Sequence, residues 1–492
     1  MSSSGSATLS IDFIIVGGGI SGLSTAYTLC KAGHKVKVFE KMQGVGFPSS
    51  GIRVPPNMSK ILKKWVGEEE LYKTAVLNVA TPCIDSEYAL PLGCVRLCIL
   101  LWRTNYVPCY TVNSGNRIGV IPWKPVVMAE TGGDYLLMKH EDAYSIVHRL
   151  AISAGARIVS GVTVINVVPG SPKPSVILST GETIYADVII GADGWNSIVR
   201  QVVCGAEGEN DHLPKGPAVY AGTVTAEQLK GDPALEHLMS SNEFVIGFGT
   251  GMAMCIFPVR ANSELSVFLY LPDQYANTLP NNSGEPSDCW YNIVPASSIK
   301  VDGLAPCLVQ RLVPKMCSVS RLRWRQPKQA KDWVDRSGRI ALLGEAAHPF
   351  PTGTTYATAA CLEDAVVLGT LFSQLSSPQQ ISTVLHAFHE IRETRCRNLV
   401  NTEITNATLT MLPPGPERDA RDKALASANV GWDDESAARI EYDRLAEMFG
   451  YEAEDAAMQW WVDWGRYTQD ELFAEPITPN TTLSVEKFSL DV

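Results

Sequence analysis

The stretch from 11 to 41, "IDFIIVGGGISGLSTAYTLCKAGHKVKVFEK", constrains this chain more than any other. It opens on an unbroken apolar run, as a central parallel strand buried on both faces requires. Three glycines at GxGxxG spacing follow, then a helix-like run, then a second strand closed by Glu40. Gly17 permits the turn, Gly19 lets the backbone approach a pyrophosphate, and Gly22 lets the helix pack close to the strand. The helix start offers unpaired N–H groups and the positive end of its dipole to phosphates. Glu40 stands where a carboxylate accepts hydrogen bonds from ribose hydroxyls. Glycine-rich turns are common, so the GxGxxG is weak alone; with a strand before it, a helix after it and an acid behind, it marks a dinucleotide site. Which dinucleotide is left open by this stretch.

With 492 residues the chain exceeds a single core and implies two or three domains or one two-lobed body. A hydrophobic share of 45% with 19% charged residues is that of a globular protein. The net charge of −11, unrelieved by any Lys/Arg cluster, argues against a nucleic-acid partner. Twelve scattered cysteines contain no CxxC, and the pair Cys94 and Cys98 lacks companion ligands, so no metal site is expected. Cys30 and Cys361 fall in apolar runs and read as core thiols of a reducing compartment. No basic segment with an apolar core opens the chain, and the run 94–102 is too short for a membrane helix and contains Arg96. The cytoplasm and no transmembrane segment are the expectations.

Two later segments narrow the cofactor. "GETIYADVIIGADGWNSIVRQVV" (181–203) reads as a strand, then Gly191-Ala192-Asp193-Gly194, then a helix start with Ser197 and Arg200. "RIALLGEAAHPFPTG" (339–353) is a strand-like run that stops at Gly344 and offers Glu345, followed by the Ala-rich, helix-like "TTYATAACLEDAVVLG". Taken together, "GGGISG" with Glu40, "GADGWNSIVR" and "LLGEAAHP…LEDA" resemble the three fingerprints of the flavoprotein aromatic hydroxylases. These are the FAD-dependent monooxygenases that include p-hydroxybenzoate and salicylate hydroxylases. The resemblance spans roughly 11–400.

The resemblance implies an α/β fold: a Rossmann-like FAD-binding domain, an inserted mixed β-sheet substrate domain and a helical C-terminal region. The FAD-binding domain is expected to be discontinuous, 8–78, 128–212 and 318–375, with 79–127 and 213–317 building the substrate domain and 376–492 the helical region and tail. Substrate-domain strands are suggested by "AVYAGTVT", "EFVIGFGTGMAMCIFPV" and "ELSVFLYLP". FAD contacts are implied for Gly17, Gly19, Gly22, Glu40, Lys41, Gly51, His140, Asp193, Gly344, Glu345, Ala357 and Thr358. Glu345, one methylene longer than the family's usual Asp, would meet the ribityl hydroxyls as a buried carboxylate needing partners. The next helix would aim its N-terminus at the flavin's pyrimidine edge.

Four departures from the family's pattern stand out. Its glutamine-glycine beneath the flavin is Tyr356-Ala357 here. Its arginine in the second FAD contact is His140, with Asp142 following. The substrate-facing arginine of many relatives is Ala221, after Tyr220; its absence points to a less acidic substrate or to an anion held from elsewhere. Finally "CVRLCILLWRTNYVP" (94–108) has neither helical nor alternating periodicity and reads as an insertion or a translated intron.

The resemblance also implies that NADH or NADPH reduces the flavin, visiting without a domain of its own, and that O2 yields a C4a-hydroperoxide that hydroxylates a small aromatic substrate. Attack at a carboxyl-bearing carbon would add decarboxylation. Tyr220, His348 and Tyr356 are the candidate catalytic residues, with His348 read as a loop-fixing residue by preference. An epoxidase, a Baeyer–Villiger enzyme, a dehydrogenase and a non-catalytic nucleotide-binding protein are the alternatives, and a homodimer is left open. Trp460, Trp461 and Trp464 are expected in packing rather than at a cofactor.

Overall fold

The apolar run after Asp12 forms the middle strand of a five-stranded parallel sheet. Its order is Ile340–Leu342, Val188–Gly191, Asp12–Val16, Lys35–Glu40, Arg157–Ser160. Phe13, Ile14, Ile15 and Val16 are all buried, so neither face of this strand meets water and no polar residue alternates with them. The computed structural model describes residues 6–43, 50–85, 117–123, 125–170, 172–205, 217–272, 291–300, 307–316, 319–322, 328–428, 443 and 445–465. The run 94–108 and the tail from 466 lie outside the described residues.

Helix Ile20–Lys31 packs between helices His140–Ser153 and Ala357–Phe372. At its crossing with the Ala-rich helix, a Cβ on Gly369 would lie 2.5 Å from the Cβ of Thr28. The Thr28 hydroxyl donates to the Ala365 carbonyl at 2.6 Å. Small residues thus let two helices touch almost backbone to backbone beneath the glycine turn.

A second, eight-stranded sheet runs Tyr291–Val294, Val319–Leu322, Ala218–Thr225, Glu264–Leu271, Met252–Val259, Val245–Gly249, Ala80–Asp85, Arg117–Pro122. It is mixed: Val245–Gly249 and Ala80–Asp85 run parallel, the other neighbours antiparallel. The expected start of the last FAD-domain segment, 318, falls one strand early, because Val319–Leu322 pairs with Ala218–Thr225 inside this sheet. One face, carrying Val219, Ala221, Cys255, Phe257, Phe268 and Tyr270, shares a core with the parallel sheet. The other, carrying Tyr220, Met254, Ile256, Val267 and Leu269, packs with Leu235, Leu238, Leu308 and Leu312.

The C-terminal region is built onto these two sheets. Helix Pro416–Ala428 lies on the edge strand Arg117–Pro122, where a Cβ on Gly119 would come within 2.5 Å of the Leu425 carbonyl, and Arg418 pairs with Asp85 at 2.7 Å. The helix thereby covers one face of this edge strand. Among the tryptophans, Trp460 donates to Glu390 at 3.1 Å and packs with Trp461 at the margin of the core, whereas Trp464 is exposed. No helix of the described residues is long and apolar enough to cross a membrane, and the described cysteines Cys30, Cys83, Cys204, Cys255, Cys361 and Cys396 are free thiols.

Helix Gln380–Thr410, 31 residues long, is pinned to the FAD-side core by buried charges. Arg392 bonds Asp364 at 2.8 Å and Glu363 at 2.8 Å; Arg395 bonds Glu363 at 2.9 Å. Asn57 donates to Glu363 at 2.7 Å, while Asp364 accepts the Gly344 N–H at 3.0 Å and lies 2.6 Å from His348. Burial alone would depress the His348 pKa, but the Asp364 carboxylate outweighs it and drives the imidazole up to about 10. The His348, Asp364 and Cys396 donors cluster within 4.8 Å, and the Arg392 guanidinium stands beside them, 3.4 Å from the Cys396 sulfur.

Removing one partner from so buried a network leaves a charge uncompensated, so Asp364→Asn should cost about 3 kcal/mol or more in urea unfolding. A folded His348 keeps its proton to about pH 10, against 6.5 for the ordinary group, so its share of stability is complete below about 6.5 and is lost as pH rises towards 10. Unfolding free energy should therefore fall between pH 7 and 10 in the native protein and fall less in His348→Gln; equal slopes would refute the charged histidine.

Candidate functional site

All five strands of the first sheet run parallel, so their carboxyl ends share one edge, where α/β folds place their ligands. Four adjacent strands deliver, in spatial order, Glu345, Asp193-Gly194, Gly17 to Gly19, and Glu40. The contacts along this row are close. Gly17 has φ +103°, and a Cβ there would lie 2.3 Å from the Ala192 carbonyl oxygen. A Cβ on Gly22 would lie 2.0 Å from the Gly17 carbonyl oxygen. The Gly18 N–H donates to Glu40 Oε2 at 2.6 Å, and the Met42 N–H to Glu40 Oε1 at 2.8 Å. A Cβ on Gly194 would stand 3.8 Å from Glu345 Oε2.

Gly19 is different. Among the described residues a Cβ there would meet nothing within 4 Å, and none of them gives helix Ile20–Lys31 a side-chain cap on its N-terminus. Open space before uncapped N–H groups is what a pyrophosphate needs. Glu345 is exposed although its neighbours on both sides are buried, so it pays no desolvation cost until something covers it. That differs from the buried carboxylate expected from the sequence; the short 3-10 turn Gly344–Ala346 lifts it out of the core. Gly17 to Gly22, Glu40 and Glu345 therefore fit a dinucleotide such as FAD.

The other expected contacts divide. Asp193 turns away from the row to cap helix Ile198–Cys204, accepting from the Ser197 hydroxyl at 2.5 Å and the Ile198 N–H at 2.8 Å. Burial raises its pKa, opposed by the Ser197 bond. Gly344, at φ +58°, packs against Ser21 of the glycine helix. Lys41 is exposed beside Glu40. Gly51 is a packing contact, since a Cβ on it would lie 2.4 Å from the Phe257 ring, and its N–H donates to Ser266 at 2.8 Å. His140 opens helix His140–Ser153, its N–H bonded to the Ser50 carbonyl at 3.0 Å; burial pushes its imidazole down to about 4, so it brings no positive charge. Ala357 and Thr358 begin the Ala-rich helix, but the N–H groups just before them, of Thr355 and Tyr356, are bonded to Glu403 Oε1 at 2.6 and 2.7 Å.

The three catalytic candidates need correction. Tyr220 points into the distal core of the eight-stranded sheet, because side chains alternate along a strand and Ala221 takes the face shared with the FAD side. His348 is sealed against Trp333 and Asp364 and already holds its proton, so it cannot accept one. It fixes the loop. Tyr356 is the N-cap of the Ala-rich helix and is buried towards Phe449, a structural position rather than an exposed acid or base.

Sequence reading missed a second group of polar residues on the FAD-facing side of the eight-stranded sheet. Arg53 is buried, donates to the Gly353 carbonyl and reaches the Thr355 hydroxyl at 3.4 Å. Tyr270 donates to the same carbonyl at 2.8 Å. Burial, chiefly, pushes the Tyr270 and Tyr135 phenols well above the ordinary range, so both stay protonated as donors. Glu403 is buried on the other side of the loop, and burial raises its pKa, opposed by Arg53. An arginine inside the apolar strand "GIRV" was the available signal.

A model of the NAD(P)-binding Rossmann-like domain matches residues 15–62. Over 415 residues the chain is 26% identical to the FAD-dependent monooxygenase atnJ of Arthrinium sp, covering 83% of this chain and 87% of that protein. It is 24% identical to the 3-hydroxybenzoate 6-hydroxylase of Klebsiella oxytoca, covering 73% and 79%. Among solved structures, a salicylate hydroxylase bound to substrate superposes with a TM-score of 0.67 at 18% identity, covering 91% of this chain and 97% of that one.

Gly19→Ala and Gly22→Ala separate binding from folding. The first meets no atom of the described residues within 4 Å, so stability without cofactor should barely change while FAD affinity, read by flavin fluorescence, falls roughly tenfold or more. The second drives a methyl into the Gly17 carbonyl and should itself lose about 1–3 kcal/mol of stability.

Proposed function

We propose that this chain is an FAD-dependent aromatic hydroxylase that uses NAD(P)H and O2 to hydroxylate a phenol or hydroxybenzoate-like ring. One observation carries the reading. The segment 344–356 begins in the row of strand ends that fits the nucleotide and is bonded at Gly353 to Tyr270 of the eight-stranded sheet and to Arg53 of strand Gly51–Val54, which faces that sheet's phenylalanines. Nucleotide site and aromatic wall are therefore two ends of one short stretch of chain.

Gly17 to Gly19 and the N-terminus of helix Ile20–Lys31 would hold the pyrophosphate, and Glu40 and Glu345 the sugar hydroxyls. The chemistry such a cofactor supplies is activation of O2 with electrons drawn from NAD(P)H. Phe244, Phe257 and Phe268 offer an apolar wall for a planar ring, and the protonated Tyr135 and Tyr270 offer donors. The three phenylalanines are buried, and a Cβ added to Gly353 would lie 2.5 Å from the Tyr270 hydroxyl, so the loop approaches this wall closely. The relatives' activities on hydroxybenzoate and salicylate support a ring of this class, with loss of a carboxyl group as a variant of the reaction. We infer the cytoplasm as the compartment.

The purified protein should be yellow and should consume NADH or NADPH faster when a suitable phenol or hydroxybenzoate is added. The product should be heavier by one oxygen, or show that gain together with loss of CO2. A product lighter by two hydrogens would make the enzyme a dehydrogenase instead, and a colourless, folded protein indifferent to FAD would end the proposal.

A further inference from the structure

Five arginines are buried among the described residues: Arg53, Arg200, Arg392, Arg418 and Arg421. Three lie against carboxylates: Arg392 with Glu363 and Asp364, Arg418 with Asp85, Arg421 with Asp422. Arg200 spends its guanidinium on the main-chain carbonyls of Ala346 and Lys328, tying together the segments on either side of strand Ile340–Leu342. Arg53 stands apart. It makes no ion pair among the described residues; it donates to the Gly353 carbonyl and to the Thr355 hydroxyl, the latter at a long 3.4 Å, and is also hydrogen-bonded with Tyr270. Glu403 bears on it electrostatically, but that carboxylate is committed to the N–H groups of Thr355 and Tyr356.

A buried guanidinium whose hydrogen-bond acceptors are all neutral still has an anion in good geometry to gain, because that is its strongest kind of partner. The surroundings show which kind. The Arg53 guanidinium lies 5.2 Å from the Phe244 ring centroid and 5.7 Å from those of Phe257 and Phe268. Phe268 is the register partner of Ala221 on one side and Cys255 on the other, so Arg53 is set over the middle of the sheet's FAD-facing side. Ala221 brings no charge to that patch. A cation ringed by aromatic faces, next to two phenol donors and at the end of the segment that starts at the nucleotide row, suits a planar ring bearing a negative group. A bidentate anion would also make bonds about twice as strong as those to the Gly353 carbonyl and the Thr355 hydroxyl.

We propose that Arg53 determines specificity by receiving the carboxylate or phenolate of an aromatic substrate whose ring lies against the phenylalanine wall. The inference rests on the function proposed above and names the substrate class of that same site: anionic aromatics, with the anchoring charge carried by the FAD-binding half and not by the sheet.

The test uses the full chain loaded with FAD and matched probes, benzoate with benzamide and 3-hydroxybenzoate with 3-hydroxybenzamide, bound while the flavin absorption is followed. The native protein should bind each acid at least about tenfold more tightly than its amide, the worth of one charged hydrogen-bond pair. Arg53→Gln should lose that preference, with the amides held within about threefold of native, and Arg53→Lys should keep part of it, a point charge without the fork. Since Arg53 is buried, Glu403→Gln serves as a gain test that misfolding cannot imitate: with the competing carboxylate gone, the acids should bind more tightly and the amides as before.

A native protein with no preference for the acids, or with affinity for none of them, overturns the proposal. So does an Arg53→Gln protein that retains flavin and the native acid-to-amide ratio. A shift in flavin midpoint potential in Arg53→Gln with that ratio unchanged would assign the cation to the flavin and overturn it equally. A protein without flavin refutes the enzyme reading; flavin with phenol-stimulated NAD(P)H consumption and an indifferent Arg53 refutes only this one.

Discussion

The turn at Gly17 has room for no side chain, and the geometry of the nucleotide end follows from that. With a Cβ position only 2.3 Å from the Ala192 carbonyl, any other residue would wedge the ends of strands Asp12–Val16 and Val188–Gly191 apart. The main chain stitches the gap from both sides: the Gly17 N–H donates to the Phe39 carbonyl at 2.9 Å, and the Ala192 N–H to the Val16 carbonyl at 2.8 Å. The Leu343 N–H then donates to the Gly191 carbonyl at 3.0 Å, carrying the pairing one strand further. The ladder therefore continues past the sheet proper and sets Glu40, Gly18, Gly194 and Glu345 in line, with the Glu40 carboxylate itself tying the Gly18 and Met42 N–H groups to the end of its strand. A site fixed in this way can leave its carboxylate at 345 exposed and still well placed.

Alternation along a strand settles what the second half of the molecule can contribute. Tyr220 and Ala221 differ by one position, and one position moves a side chain through the thickness of the sheet. The residue with useful chemistry faces a core of leucines, and the residue facing the FAD side is a methyl group. Whatever charge or donor the aromatic wall has must come from neighbouring strands, as Tyr270 does, or from across the interface, as Arg53 does. A similar limit applies to His348, whose burial beside Asp364 fixes its charge and with it a structural role.

Local chemistry was legible in the sequence, and distant partnership was not. The glycine turn, the strands at 12–16, 188–191 and 340–342 and the Ala-rich helix each carry their signal within a few residues, because turn sterics and periodicity are local. Asp193 misled for the same reason: "DGWNS" is equally a helix-capping sequence, and the Ser197 hydroxyl and Ile198 N–H claim the carboxylate first. "LEDA" was noticed as a fingerprint, but that Glu363 and Asp364 face Arg392 and Arg395 depends on how helix Gln380–Thr410 docks, which no spacing in the chain encodes. Arg53 and Glu403 were invisible as a pair, lying hundreds of residues apart.

That pair also accounts for how the loop 351–356 keeps its shape with Tyr356-Ala357 where relatives have glutamine-glycine. A loop without the second glycine loses conformational latitude, and its form must be imposed from outside. Glu403 does this from the long helix by accepting two consecutive N–H groups, and Arg53 and Tyr270 do it from the opposite side by converging on the Gly353 carbonyl. The grip has an electrical consequence. The helix terminus that the family's pattern would leave for the cofactor's developing negative charge is preceded here by the chain's own carboxylate, so attraction for anions near the loop depends on Arg53 in addition to the helix dipole. Cation and carboxylate are held apart by the loop instead of neutralising each other in direct contact, and a separated pair of this kind presents a field across the space between them. An anion entering beside the loop would therefore be drawn to the sheet side and repelled from the helix side, which orients it before any hydrogen bond forms.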